Sequence, residues 1–367
     1  MRAIRSMVAL GLLVFSALAQ TTDDGFATPQ PGRVFTFPRD HGSHPEFRTE
    51  WWYVTGHLDG ANGQRFGFQV TFFRQARRDG SGNVQHLHLA HTALLNAETG
   101  RFLHDEKLNR EGWDAASSLS TLDVRNGNWS LRLDEKTNRI HVTATVRAEV
   151  LLTLELEPSK PLVVFGKEGV SRKGDSPSAA SHYLTFPRLK ASGTVKAGTA
   201  EHRVTGEAWM DHEFSSSQLD GGQVGWDWAA VQLRDGRDIM VYRMRREDGS
   251  SDASSTLTVI NPDGSQMALK RDAFTWTPVE KWRSPHTQAE YPNRVRFGFD
   301  NETFELKPLT ADQEQGGKLS GVPYWEGACD VLDKQGKVVG RAFLELAGYA
   351  GDLRKHLGIP VVERGSK

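Results

Sequence analysis

The densest group of residues able to do chemistry is Gly206-Glu207-Ala208-Trp209-Met210-Asp211-His212-Glu213-Phe214, followed by Gly225-Trp226-Asp227-Trp228. In an extended chain Trp209, Asp211 and Glu213 share one face, and Trp226 and Trp228 share one face of the next strand. Burial against apolar rings penalises a charged carboxylate and raises its pKa, which makes it an acid near neutral pH. Such an acid can protonate an alkene, and ring faces stabilise the cation that results. Asp211 or Glu213 is the candidate acid, and Trp209, Trp226 and Trp228 are the candidate ring walls. His212 or Asp227 is the candidate for orienting an attacking water. The same residues also suit a structural Trp–carboxylate network that closes a domain interface, because buried indole N–H groups and carboxylates need partners.

Two further clusters stand nearer the N-terminus. Asp40-His41-Gly42-Ser43-His44 is followed by Glu50-Trp51-Trp52-Tyr53. On a strand Glu50 and Trp52 share one face and Trp51 and Tyr53 the other. Asp40, His41, His44, Glu50, Trp51 and Trp52 are candidate ligand contacts, or a core in which a buried Glu satisfies an indole. In VQHLHLAHTALL, His86 and His88 point one way and His91 the other. A third ligand and an open coordination position are not identifiable, and there is no HExxH or Cys/His spacing, so no metal site is expected. A GxSxG elbow, a P-loop and a GxGxxG after a strand are all missing. Paired carboxylates and Trp-rich strands suit a glycosidase too, but no acid and nucleophile at a defined separation can be nominated.

The elements that must position these groups are strands. Phe66, Phe68, Val70 and Phe72 alternate with Gln69 and Thr71. Ile140, Val142, Ala144 and Val146 repeat the period, as do Val150, Leu152, Leu154 and Leu156, and then Met240, Tyr242 and Met244. Gly-containing turn pairs such as Asn62-Gly63, Asn126-Gly127 and Asp263-Gly264 separate the runs. Many short strands joined by hairpins predict an all-β antiparallel sandwich or barrel, with brief helices only near Asp175–Ser181 and Gly351–Leu357. The stretch Gly166–Ala180 is rich in Gly, Ser and charge, and reads as a surface loop or a lid over a ligand mouth. New strand patterns at Leu189 place a domain boundary near residue 190, giving β domains over 30–190 and 191–360.

The first residues predict export. Arg2 and Arg5 precede an apolar run from Met7 to Leu18, and Ala17-Leu18-Ala19 supplies the small residues of a cleavage site after Ala19. The run is shorter than the roughly 20 apolar residues a bilayer span takes. Residues 1–19 are therefore expected to be a signal peptide, and the mature chain periplasmic or secreted. A single cysteine, Cys329, allows no intrachain disulfide. With 45 Lys+Arg against 46 Asp+Glu, nothing favours nucleic acid or an anionic membrane surface.

The strings FPRDHGSHPEFRTEWWYVTGHL, FGFQVTFFR and GEAWMDHEFSSSQL with GWDWAAVQL resemble the AttH/CrtC lipocalin-like family, from about Phe35 to about Ala350. That family includes carotenoid 1,2-hydratases (hydroxyneurosporene synthases), pericyclic-reaction catalysts and AttH-type proteins linked to ABC transport systems. The resemblance implies a tandem of two lipocalin-like antiparallel β-barrels holding an isoprenoid or lipid. It also implies addition of water to an alkene without a cofactor, or carriage of a lipid for an ABC transporter permease with transient membrane contact. The positions matching the family strings are Asp40, His41, His44, Glu50, Trp51, Trp52, Trp209, Asp211, Glu213 and Trp226. SHYLTFPRL departs from the pattern in being less aromatic than the corresponding family string, which puts contacts around Tyr183 in question. A cleaved leader suits a periplasmic carrier better than a hydratase whose substrate lies in the inner membrane.

Overall fold

A computed structural model describes residues 20–351 and 353–356, so the predicted leader, residues 1–19, lies outside the described residues. The chain is almost wholly β, in two antiparallel sheets that curl into barrel-like halves. The first sheet begins with four hairpin-connected strands: β1 (Thr49–Gly60), β2 (Arg65–Arg78), β3 (Val84–Asn96) and β4 (Arg101–Arg110). Its order runs from β4 through β3, β2 and β1 to the long strands Ala200–Ser217 and Ala180–Ala197. It then continues through Val150–Pro158 and Arg139–Val146 to three short strands. The second sheet runs from Gln266–Lys270 through Thr256–Ile260, Asp238–Arg246 and Gln223–Leu233 to Val338–Ala347 and Pro323–Leu332, ending on Phe274–Arg283.

The sheets change over between Ser217 and Gln223, not near residue 190. The pattern restarting at Leu189 belongs to the strand Ala180–Ala197, which pairs backward with Val150–Pro158 and forward with Ala200–Ser217. Both long strands therefore complete the first barrel. The segment expected to be helical at Asp175–Ser181 is a turn leading into that strand. Leu353–His356 forms a single helical turn within the C-terminal stretch expected to be helical.

Three apolar cores follow from strand alternation. Trp52, Val54, Phe68, Val70, Phe72, Leu154 and their neighbours fill the first barrel. Val231, Ile239, Val241, Phe297, Trp325 and Leu344 fill the second. Between them lies a third core of Tyr53, Tyr183, Trp209, Trp228, Met240, Tyr242, Met244 and Phe343. Strands facing this seam are buried on both sides, so Gln69 and Thr71, opposite the apolar stripe of β2, are as buried as the stripe itself. The halves approach so closely that a Cβ built on Gly67 would lie 2.5 Å from the Ala328 Cβ across the seam. Gly67→Val should accordingly cost about 1–3 kcal/mol, as overpacking does, read as a lowered melting temperature with unchanged far-UV circular dichroism.

Candidate functional site

A cavity of about 350 Å³ opens in the seam between the two barrels. Its first wall is the outer face of β1–β3 and strand Ala200–Ser217, and its second is the facing side of Gln223–Leu233, Asp238–Arg246, Pro323–Leu332 and Val338–Ala347. The predicted alternation decides which clustered residues reach it. Trp51, Asp211, Glu213, Trp226 and Trp228 line it, together with Tyr53, Tyr183, Tyr242 and Tyr324. Trp209 does not line it but lies beside it in the seam core, its ring 6.2 Å from that of Trp228, and donates its indole N–H to Asp211 Oδ1 at 2.7 Å. Tyr183, from the string that departs from the family pattern, is part of the lining.

Asp211 is held by three hydrogen bonds. Its Oδ1 also accepts from the Thr185 hydroxyl at 2.6 Å, and its Oδ2 accepts from the Tyr183 hydroxyl at 2.8 Å. Tyr183 in turn accepts from the Trp228 indole at 2.9 Å. A carboxylate has about four acceptor positions, so these three bonds leave one, on Oδ2. Burial is the largest influence on Asp211 and pushes its carboxyl up to about 7, against the lowering effect of Thr185, Tyr183 and Trp209 and with help from Glu213. Burial also raises Glu213, but the Lys173 ammonium lies 3.4 Å from its Oε1 and opposes the shift. Of the two predicted acids, Asp211 is the one without a cation beside it.

Two carboxyls on the opposing wall were not singled out in the sequence. Glu326 and Glu345 are directly paired across neighbouring strands. Burial, followed by the charge of Glu345, holds Glu326 well above the usual carboxylate range. Burial carries Glu345 up to about 7, and among the described residues its one hydrogen bond is from the Trp226 indole at 3.0 Å. Glu326 is bonded by the Tyr53 hydroxyl from the first barrel and by the Gln315 amide at 3.3 Å. The signal available in the sequence was an acidic residue at a seam-facing position of each of two apolar strands, PYWEGACDVL and VVGRAFLELA. Lys173 was also missed. It comes from the stretch read as a loop or lid, which pairs with strand Ala180–Ala197 through Ser171–Arg172. Lys173 is fully buried, with its ammonium 3.7 Å from the Tyr242 ring centroid.

The remaining candidates lie elsewhere. His212 alternates with Asp211 and points into the first barrel, where its Nε2 meets Glu50 Oε1 at 2.9 Å. Asp227 points into the second barrel, accepting from Arg243 at 2.6 Å, Trp276 at 3.0 Å and Tyr349 at 2.9 Å. Neither side chain faces the cavity, so neither can orient water there. Asp40, His41, His44, Glu50 and Trp52 form a buried plug on the inner side of the first barrel and do not line the cavity. His44 bridges Asp40 and Glu50 at 2.9 Å each. Arg74 binds Glu50 Oε2 at 3.0 Å, and the Trp52 indole donates to the His41 carbonyl at 3.0 Å. His44, Glu50 and His212 offer ligand atoms within 4.8 Å of one another. Glu50 Oε1 is bonded both to His44 Nδ1 and to His212 Nε2, and Arg74 binds Glu50 Oε2.

The comparisons agree with this architecture. The AttH-like family profile matches residues 28–349. The crystal structure of a putative AttH from Nitrosomonas europaea is 35% identical with a TM-score of 0.81, covering 88% of this chain and 100% of that one. Kievitone hydratase from Nectria haematococca superposes with a TM-score of 0.64 at 14% identity, covering 90% of this chain and 99% of that one. CghA with Sch210972 does so with a TM-score of 0.50 at 14% identity, covering 90% and 98% respectively. These two show the shared fold. No curated protein matches. A profile match over nearly the whole described chain, and a relative more than one-third identical along its full length, make this chain a member of the AttH-like family.

Proposed function

We propose that this chain binds a linear isoprenoid or similar apolar alkene in the inter-barrel cavity and adds water across its double bond. The observation that carries the reading is Asp211: a cavity-wall carboxyl whose burial retains its proton to about 7, with a free position on Oδ2. Proton transfer from Asp211 to the less substituted alkene carbon leaves a cation on the other carbon. The rings of Trp51, Trp226 and Trp228 stabilise that cation. Water then forms the C–O bond and passes a proton to Glu345, whose carboxyl carries a single hydrogen bond. The product is a tertiary alcohol, and the two carboxyls exchange the proton to reset the site. Kievitone hydratase shares this fold at 14% identity; the residues of the cavity wall are what support the reading for this chain.

The test is incubation of the purified chain with acyclic isoprenoid alkenes, squalene and farnesol, in ¹⁸O-labelled water. Mass spectrometry should find a product heavier by one labelled water, absent with boiled protein. Binding without any labelled product would favour a carrier instead, delivering an apolar ligand to a membrane permease. In that case residues 1–19 would act as an export leader and the same cavity would serve transport.

A further inference from the structure

Across the first wall the strand register sets residues side by side in rows. Asp211 pairs with Tyr53, Tyr53 with Thr71 and Thr71 with His91, and all four line the cavity. The adjacent row runs Glu213, Trp51, Phe73, Leu89 and Leu108, again all lining it. A row of hydrogen-bonding side chains thus runs beside a row that is apolar after its first member. Both start from the buried carboxyls; the polar row ends at His91, and the apolar row runs on to Leu108, which is 46% exposed at the rim. Strands lie about 4.8 Å apart, so Asp211 and His91 stand about 14 Å from each other along the polar row.

His91 ends that row with an unmet requirement. It is 3% exposed, and its Nδ1 shares a hydrogen bond of 2.8 Å with the Tyr324 hydroxyl of the facing barrel. Its Nε2 is buried with no hydrogen-bond partner among the described residues. Buried polar atoms are satisfied in the great majority of cases, and an orphan lining a cavity calls for a partner from the ligand. Gln218, at the other end, also lines the cavity, with its amide in hydrogen-bonding reach of the Glu213 carboxyl.

We infer that the cavity is built for an elongated, oxygenated chain: an alcohol whose hydroxyl is held by His91 Nε2 and whose distal double bond reaches Asp211. A bare hydrocarbon leaves Nε2 unpaired. A hydroxyl both donates and accepts, so it satisfies His91 in either tautomer. The length of the row selects a linear chain over a compact ring system, with the apolar row carrying one edge of that chain. This inference rests on the proposed location of the ligand and deepens it, but its test reads binding and is independent of whether water is added.

The experiment titrates the chain with farnesol and with farnesene, the corresponding hydrocarbon, following quenching of the cavity tryptophans. Farnesol should bind about tenfold more tightly, the scale of satisfying one buried polar atom. His91→Phe should remove the preference while retaining farnesene binding. His91→Gln, whose amide can still bond the hydroxyl, should keep most of it. Equal affinity of the two ligands for the unaltered protein would overturn the inference, as would a preference that survives His91→Phe. Binding of neither linear ligand would overturn it also. Labelled-water incorporation, measured separately, reports on the hydration reading alone.

Discussion

Asp211→Asn is expected to lower hydration turnover by about 10²- to 10⁴-fold, the contribution of a positioned general acid, while leaving farnesol binding close to that of the unaltered protein. The side chains are isosteric. An Asn oxygen still accepts from Thr185 and Trp209, and its amide can donate to the Tyr183 oxygen. What is lost is the transferable proton. Asp211 must carry its proton and Glu345 must be ionised to accept one, and both are pushed up to about 7, so turnover should peak near neutrality. It should fall about tenfold per unit on either side, as the base form of Glu345 is depleted below and the acid form of Asp211 above. Full turnover by the Asn variant would place the acid elsewhere.

The same group gives a stability signature with a definite sign. In the unfolded chain Asp211 loses its proton near 3.8, whereas in the folded chain it keeps it to about 7. Over that window the native state binds more protons, so its stability must decline as pH rises from about 4 to about 7. Glu345, raised from 4.5 to about 7, adds to the slope in the same direction. Asp211→Asn removes one contributor. The variant should therefore gain on the unaltered protein as pH rises through the window, measured by melting temperature at matched ionic strength.

Much of this site was legible in the alternation of side chains along strands. The parity separating Trp51 from Trp52, Asp211 from His212 and Trp226 from Asp227 is the parity observed. What alternation could not provide was which side faces a cavity, because the seam strands are buried on both faces and neither side is marked by exposed polar residues. Glu50, as a ligand contact, and His212, as a water-orienting group, stood among the candidates with Asp211 for that reason, although they face the inside of the first barrel. The partners that decide chemistry came from far along the chain: Glu326 meets Tyr53, Tyr324 meets His91, and Lys173 meets Glu213. The boundary near residue 190 failed for a related reason. A resumed strand pattern marks a new strand, and only pairing shows which sheet that strand joins.

The plug of the first barrel should respond in the opposite way to the cavity. Glu50 is fully buried and accepts from Ser43 and Arg74, and is bonded to His44 and His212. Burial works against its charge, but the bonds from His212 and His44, with the charge of Arg74, outweigh it and hold the carboxyl well below its ordinary range. Glu50→Gln leaves the Arg74 guanidinium, 1% exposed, without a counter-charge. Removing one partner of a buried pair costs about 3–5 kcal/mol, which for barrels of this size is a fall in melting temperature on the order of 10 °C. The depressed carboxyl stabilises the protein above its unfolded value of 4.5, and that stability is lost as pH falls toward the folded value. The Gln variant should thus lack this part of the acid instability seen in the parent. Adding Arg74→Met should recover part of the loss, since deleting both partners removes the stranded charge. Below the melting transition farnesol affinity should be unchanged, because Glu50 and Arg74 face the barrel interior while the cavity lies on the outer face of the same strands. A Gln variant that melts like the parent yet no longer binds would move the ligand from the seam into the first barrel.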